Sequence, residues 1–350
     1  MAAVRCLNVY SSRESLPPGV PHVALLFPLW GLTGNESTPN VYAPYLSNGT
    51  KYFRMTSPDE ADVFVLPFDW RYTTRFFASS QTAEAAKRAA LVFASRAADF
   101  GKPLVAFFVS DSDDEVPLPN SVIFRTSTSR DLRQNEFGMP VFFEDVLQSN
   151  AGIAALRLKK RFPTVGFCGF AGYRLVPNVP LRGQIRSFAR WVRKGFPQLT
   201  LRERAIVALR RHPFVETDFI LRETSKGRGE LPPHVRQTFQ RNIQSTDYTL
   251  CVRGHGNWSV RFYETLAWGR IPLFVDTSCV LPYDFEINYR DVSLWVTSEE
   301  IDSIADRLVD FHGALDADQF AHLQRACRSL WEQRLTPDGF FSNFWRHFQF

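Results

Sequence analysis

Residues 246–276 read TDYTLCVRGHGNWSVRFYETLAWGRIPLFVD, and this stretch decides the fold prediction. It opens with a short apolar run, Tyr248–Val252, which predicts a strand. The loop Arg253–Asn257 contains two glycines, and the hydroxyl of Ser259 can then cap a helix that reaches about residue 268. Ile271–Val275 predicts a second strand. Strand, glycine loop, helix and strand together predict a βαβ unit.

The glycine loop of this unit is suited to binding an anion. Backbone N–H groups and a helix N-terminus would converge on one point. The guanidinium groups of Arg253 and Arg261 would add positive charge that matches phosphate oxygens. Glu264 follows Arg261 on the same side of the helix, and a carboxylate suits a pair of sugar hydroxyls because it only accepts hydrogen bonds. Phosphate together with hydroxyls indicates a nucleotide sugar.

These features define a predicted donor site in the loop and the start of the helix. An alternative interpretation stays open, because the arginine and the glutamate of the helix could form an ordinary surface ion pair. The glycines could serve only a tight turn, and the loop is not the dinucleotide fingerprint G-x-G-x-x-G. The residues of the predicted donor site are Arg253, Gly254, His255, Gly256, Asn257, Ser259, Arg261 and Glu264.

The rest of the 350-residue chain also alternates between strand and helix patterns. Val63–Pro67 and Leu104–Val109 predict buried strands, and Thr82–Phe100 between them predicts a helix. Trp30–Pro44 is rich in Gly, Asn, Ser and Thr and predicts a loop. Such alternation favours an α/β fold with parallel sheets. The length suggests two domains, and the short basic segment Asn150–Pro163 is the expected boundary between them.

Composition and charge exclude several classes of function. The net charge is +5 and the basic residues are mostly arginine, which favours an anionic ligand. No block of like charge and no nucleic-acid-binding motif is present, so we expect no nucleic-acid partner. No apolar run is long enough to span a bilayer, and the N-terminus lacks the pattern of a signal peptide. We therefore expect a cytoplasmic protein, and leave open a peripheral association with a membrane.

The segment LCVRGHGNWSVRFYETLAWGRIPLFVD, residues 250–276, resembles the core of the exostosin-type glycosyltransferases. These proteins carry Cys-x-x-Arg-Gly, then Ser-x-Arg-x-x-Glu, then a Gly/Cys-x-x-Pro turn into a strand. Leu281-Pro282-Tyr283 is similar to the family's Leu-Pro-Phe. Thr56–Pro67, TSPDEADVFVLP, is similar to the family's acidic segment before a strand. A third similarity lies at Gly166–Arg186, where a strand and a glycine turn precede a basic helix.

The resemblance implies a GT-B fold, in which two Rossmann-like domains face a cleft. On this basis we expect an acceptor-side domain at residues 1–155 and a nucleotide-sugar-binding domain at residues 156–335. A C-terminal helix at residues 336–350 would cross back to pack on the first domain.

The resemblance also implies roles for individual residues of this chain. Arg253 and Arg261 would contact the diphosphate of the donor, and Glu264 would bind ribose or sugar hydroxyls. Arg182 is similar to a family arginine that follows the glycine turn, and it would also reach the phosphates. The family resemblance further implies an inverting transfer from a nucleotide sugar. We expect a UDP-sugar rather than a GDP-sugar as donor, and a hydroxyl of a glycan or glycoconjugate as acceptor.

The leaving diphosphate needs its charge neutralised, and the arginines could do this without a metal ion. We therefore expect neither a metal nor a cofactor. Asp111-Ser112-Asp113 spells Asp-x-Asp, but it adjoins Asp114-Glu115 and is better explained as a solvated acidic loop.

An inverting reaction also needs a base that takes the acceptor proton. Asp69 is our candidate, because it follows a predicted strand of the first domain and ligands collect at the carboxyl ends of parallel strands. Its alternative role is structural, as a backbone cap or a partner of Arg71. The competing candidates for the base are Asp111, Asp113 and Asp145.

Other functions stay open at this point. A non-catalytic glycan- or nucleotide-binding subunit of a glycan-synthesising complex could carry the same loop. A phosphoryl-transfer enzyme also needs an anion loop, but it would normally add a lysine and a metal-binding carboxylate. The loop in this chain contains no lysine.

Overall fold

The computed structural model describes residues 5–32, 39–131, 135–147, 155–172, 200–222 and 233–348. Within these ranges the chain forms two parallel β-sheets, one of six strands and one of five. Every named strand pairs with its neighbour in parallel, as expected where strands and helices alternate. The predicted α/β fold of two Rossmann-like domains is therefore confirmed.

The first sheet has the strand order β2-β1-β3-β4-β5-β6. Its strands alternate their side chains between two apolar layers, so both faces are covered. The strands are β1 Leu7–Tyr10, β2 Phe53–Met55, β3 Val63–Val65, β4 Leu104–Phe108, β5 Ser121–Arg125 and β6 Glu136–Gly138.

The second sheet has the strand order β11-β10-β9-β7-β8. Its three central strands are buried along their whole length, which explains their continuous apolar sequences. The strands are β7 Thr164–Gly169, β8 Glu216–Leu221, β9 Tyr248–Cys251, β10 Ile271–Asp276 and β11 Leu294–Thr297.

Helices cover these sheets and connect their strands. A single π-helical turn, Trp331–Leu335, joins the last two helices. The α-helices of the described residues are α1 Phe27–Trp30, α2 Pro39–Asn48, α3 Ser80–Asp99, α4 Leu201–Arg211, α5 Pro233–Ser245, α6 Val260–Ala267, α7 Ile304–Ala314, α8 Ala317–Leu330 and α9 Pro337–Ser342.

Helix α2 corrects one prediction from the sequence. The segment Trp30–Pro44 was expected to be a loop, yet its last residues belong to this helix. Proline is tolerated in the first turn of a helix, where Pro39 lies. Tertiary packing then outweighs the second proline, because Tyr45 is fully buried and stacks on Phe341 at 4.5 Å.

The C-terminal segment returns to the first domain, as predicted. Phe341 and Phe344 belong to the apolar layer on one face of the first sheet. The ring of Phe344 lies 4.5 Å from that of Phe124 in β5, and Tyr283 donates a hydrogen bond to the carbonyl oxygen of Phe340. The predicted domain limits at residues 155 and 335 stay predictions. No helix of the described ranges is both long and apolar enough to cross a membrane.

Candidate functional site

The glycine loop joins β9 to α6 in the second domain. It is closed by a hydrogen bond of 3.2 Å from the backbone N–H of Gly254 to the carbonyl oxygen of Trp258. Ser259 is the N-cap residue of α6, but its hydroxyl makes no capping bond. The first turn is held by the backbone instead, because Phe262 N–H donates to the carbonyl oxygen of Ser259 at 3.1 Å. The predicted hydroxyl cap is therefore wrong.

Asn257 fastens the loop to the first domain. Its backbone N–H donates to Oγ of Ser127 at 2.8 Å, and its Nδ2 donates to the carbonyl oxygens of Thr128 and Thr277 at 3.1 Å each. Its Oδ1 accepts from the hydroxyl of Thr277 at 2.5 Å. Since both ends of the amide are used in this way, Asn257 connects the two domains at the carboxyl ends of β5 and β10.

Trp258 makes a second contact between the domains. Its indole Nε1 donates to Oδ1 of Asp111 at 2.6 Å. The loop passes so closely here that a Cβ on Gly256 would lie 2.7 Å from the Trp258 ring and 2.9 Å from Cα of Asp111. Asp111, a competing candidate for the base, is therefore the partner of an indole. Arg253 and His255 are exposed to solvent.

Arg261 reaches from α6 to the end of the neighbouring strand β7. Its Nη2 donates to the carbonyl oxygen of Cys168, and its guanidinium lies 4.8 Å from the ring centres of Phe167 and Phe239. Gly169 has a φ of +149°, which residues with a Cβ rarely adopt, and a Cβ there would also come within 2.7 Å of Nη2, so glycine is favoured at that point. The Nε of Arg261 has no hydrogen-bond partner among the described residues.

Glu264 lies beside this arginine and is not part of an ordinary surface ion pair. Burial raises the pKa of its carboxyl from 4.5 to about 7, although Arg261 and Arg236 both oppose the shift. Among the described residues its Oε2 has no hydrogen-bond partner. A buried acceptor without a partner is rare and marks a place where a donor group from a ligand would be favourable.

Arg202, near the start of α4, was not identified from the sequence. Its Nη1 donates to the carbonyl oxygen of Phe170 at 2.6 Å, and its Nη2 donates to those of Val252 at 3.2 Å and Arg253 at 2.6 Å. It thereby ties the turn after β7 to the glycine loop after β9. Burial, and then repulsion from Arg261, lower the pKa of Arg202 to about 10.

Arg222 completes a cluster of three arginines at the ends of β7, β8 and β9. It follows β8, and its Nη2 contacts Sγ of Cys168 at 3.5 Å and the carbonyl oxygen of Val235 at 3.2 Å. Its charge lowers the pKa of Arg261, as does burial to a larger extent. Like charges held together in a partly buried site are unfavourable, and an anionic ligand would offset the repulsion. We call Arg202, Arg222 and Arg261 the arginine cluster.

The first domain contributes the carboxylate of Asp69. It caps the short helix that begins at Trp70, since Oδ1 accepts from the backbone N–H of Arg71 at 2.8 Å and Oδ2 accepts from that of Val109 at 3.2 Å. Only 7% of the residue is exposed. Burial raises the pKa of Asp69 from 3.8 to about 6 even though Arg71 and the two N–H groups oppose the shift.

Asp69 also lines a cavity of 470 Å³ in the first domain. Thr126, at the end of β5, lines the same cavity, and the next residue, Ser127, accepts the N–H of Asn257 in the glycine loop. The cavity and the loop therefore meet at one strand end. Of the other carboxylates considered, Asp145 forms an ion pair of 2.7 Å with Arg328. The described residues contain no group of three His, Cys, Asp or Glu side chains that could hold a metal.

The chain is similar to glycosyltransferases over short segments. No protein-family model matches it. It is 28% identical over 65 residues to a probable glucuronosyltransferase of Oryza sativa subsp. japonica. The matched segment covers 19% of this chain and 16% of that protein. It is 24% identical over 98 residues to Exostosin-1 of Drosophila melanogaster. This matched segment covers 28% of this chain and 12% of that protein. The resemblance to exostosin-type glycosyltransferases is confirmed.

The chain is also similar to a third glycosyltransferase sequence and to one solved structure. A second probable glucuronosyltransferase of the same rice is 30% identical over 64 residues, 18% of this chain and 15% of that protein. The chain thus spans less than a fifth of the length of these relatives. A solved structure of S. aureus TarM, a mutant in complex with Fondaparinux, alpha-GlcNAc-glycerol and UDP, covers 70% of this chain and 55% of that chain. The sequence identity is 9% and the TM-score 0.36.

The roles in donor binding that the exostosin-type resemblance implies for α6 and the loop before it stay predictions. Arg182, which it also implied, lies outside the described residues. Arg202 and Arg222 were missed because each lies in a different segment, far along the chain from the glycine loop. The one local signal was a run of arginines near Thr200, where a capping box with Glu203 starts α4.

Proposed function

We propose that this protein is an inverting glycosyltransferase that moves a sugar from a nucleotide-sugar donor to a hydroxyl of a glycan or glycoconjugate acceptor. The observation that carries the proposal is the arginine cluster at the carboxyl ends of β7, β8 and β9, next to Glu264, whose Oε2 has no hydrogen-bond partner within the described residues. Ligands of open α/β sheets bind at such strand ends. The similarity to glycosyltransferases supports the same function.

The donor would bind to the second domain. Arg261, together with Arg253 and Arg182, would neutralise the diphosphate, and the N–H groups of the glycine loop would add hydrogen bonds. Arg202 and Arg222 would raise the positive potential at the same point. Glu264 would accept from ribose or sugar hydroxyls through its Oε2. No metal ion or cofactor would be needed for this neutralisation.

The reaction would be a direct displacement. The acceptor oxygen forms a bond to the anomeric carbon while the bond from that carbon to the diphosphate oxygen breaks. The acceptor proton passes to Asp69, and the charge that develops on the diphosphate is taken up by the arginines. A pKa of about 6 leaves Asp69 ionised at neutral pH and still basic enough to accept a proton.

A thermal-shift panel of nucleotides tests the donor site. UDP, GDP, UDP-glucose, UDP-glucuronic acid and GDP-mannose would be compared, and a ligand that binds only the folded state raises the melting temperature. We favour UDP compounds, and include a glucuronosyl donor because two of the relatives are named glucuronosyltransferases. Arg261→Ala should abolish the shift. Arg204→Ala, in which only an exposed ion pair to Asp302 is lost, is the matched control.

The result also separates an enzyme from a binding subunit. A donor that shifts the protein should be hydrolysed slowly or transferred to an acceptor, and EDTA should leave the rate unchanged. Binding without any turnover would favour the non-catalytic subunit. If no nucleotide shifted the protein, or if Arg261→Ala behaved like Arg204→Ala, the proposed donor site would be refuted.

A further inference from the structure

The cavity beside Asp69 is enclosed by a chain of aromatic rings. The ring centres of neighbouring members lie 5.5, 4.9, 6.0, 5.8 and 6.5 Å apart, and most pairs meet edge to face. In order, these side chains are His22, Phe27, Tyr42, Phe142, Phe341 and Phe107. We call this set the aromatic belt. Its rings come from the segment before α1, from α1, α2 and β4, from the segment after β6 and from the returning C-terminal helix α9.

Several polar groups that line the cavity are engaged within the protein, although the Nε of Arg71 has no hydrogen-bond partner among the described residues and lies 3.8 Å from Oδ2 of Asp69. His22 Nε2 is 2.7 Å from the carbonyl oxygen of Gly31, and the hydroxyl of Thr126 donates to the carbonyl oxygen of Ser110 at 2.9 Å. Arg71 Nη2 contacts the hydroxyl of Tyr72 at 3.3 Å. A sugar ring buried here would have to leave several hydroxyls without partners, which is unfavourable.

Asp69 retains room for one more donor. Oδ1 accepts from Arg71 N–H and more weakly from Val109 N–H, whereas Oδ2 accepts one hydrogen bond, from Val109 N–H at 3.2 Å, and forms an ion pair of 3.8 Å with Nε of Arg71. A carboxylate offers about four lone-pair positions, so Oδ2 can accept a further O–H. The cavity thus combines an apolar aromatic wall with a single site for a hydroxyl.

We propose that the aromatic belt binds an aromatic group of the acceptor and so holds a neighbouring acceptor hydroxyl against Oδ2 of Asp69. This inference rests on the proposed function and narrows its acceptor to a glycoconjugate or phenolic compound with an aromatic ring close to the reactive hydroxyl. Aromatic rings favour edge-to-face and offset contacts at such distances. A volume of 470 Å³ falls in the range of ordinary small-molecule pockets.

Calorimetric titration with two probes tests the proposal on the whole protein. Phenyl β-D-glucopyranoside and methyl β-D-glucopyranoside share the sugar and differ only in the aglycone. We expect the phenyl compound to bind roughly ten-fold more tightly or better, because it alone buries a ring. Equal affinities, or no binding of the phenyl compound, would overturn the proposal.

Two variants locate the binding in the cavity. Ala24→Leu adds bulk to the cavity wall, and we expect it to weaken phenyl glucoside binding roughly ten-fold or more. Ala98→Leu, the same substitution at an exposed position of α3, should bind like the natural protein. Phe142→Ala, which removes a partly exposed ring of the belt, should also weaken binding and serves if Ala24→Leu fails to fold. Unchanged binding in the folded cavity variants would refute the assignment.

The failure of this inference can be told apart from that of the proposed function. Nucleotide shifts in the thermal panel depend on the second domain and should be the same in Ala24→Leu as in the natural protein. Phenyl glucoside binding without any nucleotide shift would leave the aromatic site standing and remove the donor site. A nucleotide shift without phenyl glucoside binding would support the donor site and refute the aromatic site.

Discussion

Replacing Asp69 by Asn is the most direct test of the mechanism. The proton acceptor would be lost, and loss of a general base lowers the rate by about 10²–10⁴-fold. The donor site lies in the other domain, so nucleotide binding should be unchanged. In the natural protein the pKa of Asp69 is about 6, so the ionised fraction falls from nearly complete at pH 7.5 to about a tenth at pH 5. The kcat/KM of transfer should therefore fall about ten-fold over that range.

The same substitution should leave the protein folded. The folded-state pKa of Asp69 is raised above its unfolded value, so the stability it contributes is present below about pH 4 and is lost as the pH rises through 6. Because of this pKa shift, the ionised carboxylate of Asp69 lowers the free energy of unfolding by about 3 kcal/mol at pH 7.5. Asn removes that charge, although its amide group would face the N–H of Val109, which costs about 1–2 kcal/mol. We expect the free energy of unfolding at pH 7.5 to rise by about 1–2 kcal/mol in the variant.

The assay is a pH profile of kcat/KM for transfer, from pH 5 to 8, with the donor found in the thermal-shift panel. Glu264→Gln is the control, because Glu264 titrates near pH 7 and its removal should leave the acidic limb of Asp69 in place. Asp69→Asn should show nucleotide shifts without transfer. Normal turnover in Asp69→Asn, or a flat profile between pH 5 and 7.5 in the natural protein, would remove Asp69 from the mechanism.

Three further predictions concern the second domain. Arg202→Ala removes three hydrogen bonds to backbone carbonyl oxygens, and we expect urea titration to show a loss of about 2–4 kcal/mol in the free energy of unfolding, against less than about 1 kcal/mol for Arg204→Ala. Glu264→Gln should raise the melting temperature at pH 8 but not at pH 4, because the raised pKa of Glu264 makes its ionisation destabilising as the pH rises from about 4.5 through 7. Gly256→Ala should lower the free energy of unfolding by about 1–3 kcal/mol, because its Cβ would clash with the neighbouring indole. Gly254→Ala, which has open space at its Cβ, should leave that free energy unchanged. Equal values for the two glycine variants would contradict the close packing at Gly256.

Local sequence patterns predicted the backbone of the site well. The apolar run, glycine loop and helix of residues 246–276 appear as β9, the loop and α6 within one or two residues at each end. The helix predicted at Thr82–Phe100 is Ser80–Asp99. Such signals succeed because apolar periodicity and glycine act over a few neighbouring residues. Ser259 shows where such local signals fail. It occupies the N-cap position as predicted, but its hydroxyl makes no capping hydrogen bond and its backbone carbonyl oxygen accepts one instead.

Side-chain partners were beyond prediction from local sequence. The donor-binding role expected for Asn257 stays a prediction, and the sequence did not indicate that its side-chain amide donates to Thr128 in one domain and to Thr277 in the other. The pairing of Arg261 with Cys168, rather than with Glu264, also requires β7 and β9 to be neighbours in the sheet. No local pattern in the sequence indicates that β7 and β9 are adjacent strands.

What the sequence by itself determined is the βαβ unit at residues 246–276, together with its glycine loop, Arg261 and Glu264. Only the tertiary structure decided that Arg202 and Arg222 gather around Arg261, and that Asp69 lies buried in an aromatic cavity. The physical reason is that parallel strands bring their carboxyl ends together regardless of their distance along the chain. Burial then sets the charges, since removal from water raises the pKa of Asp69 and Glu264 and lowers that of Arg202.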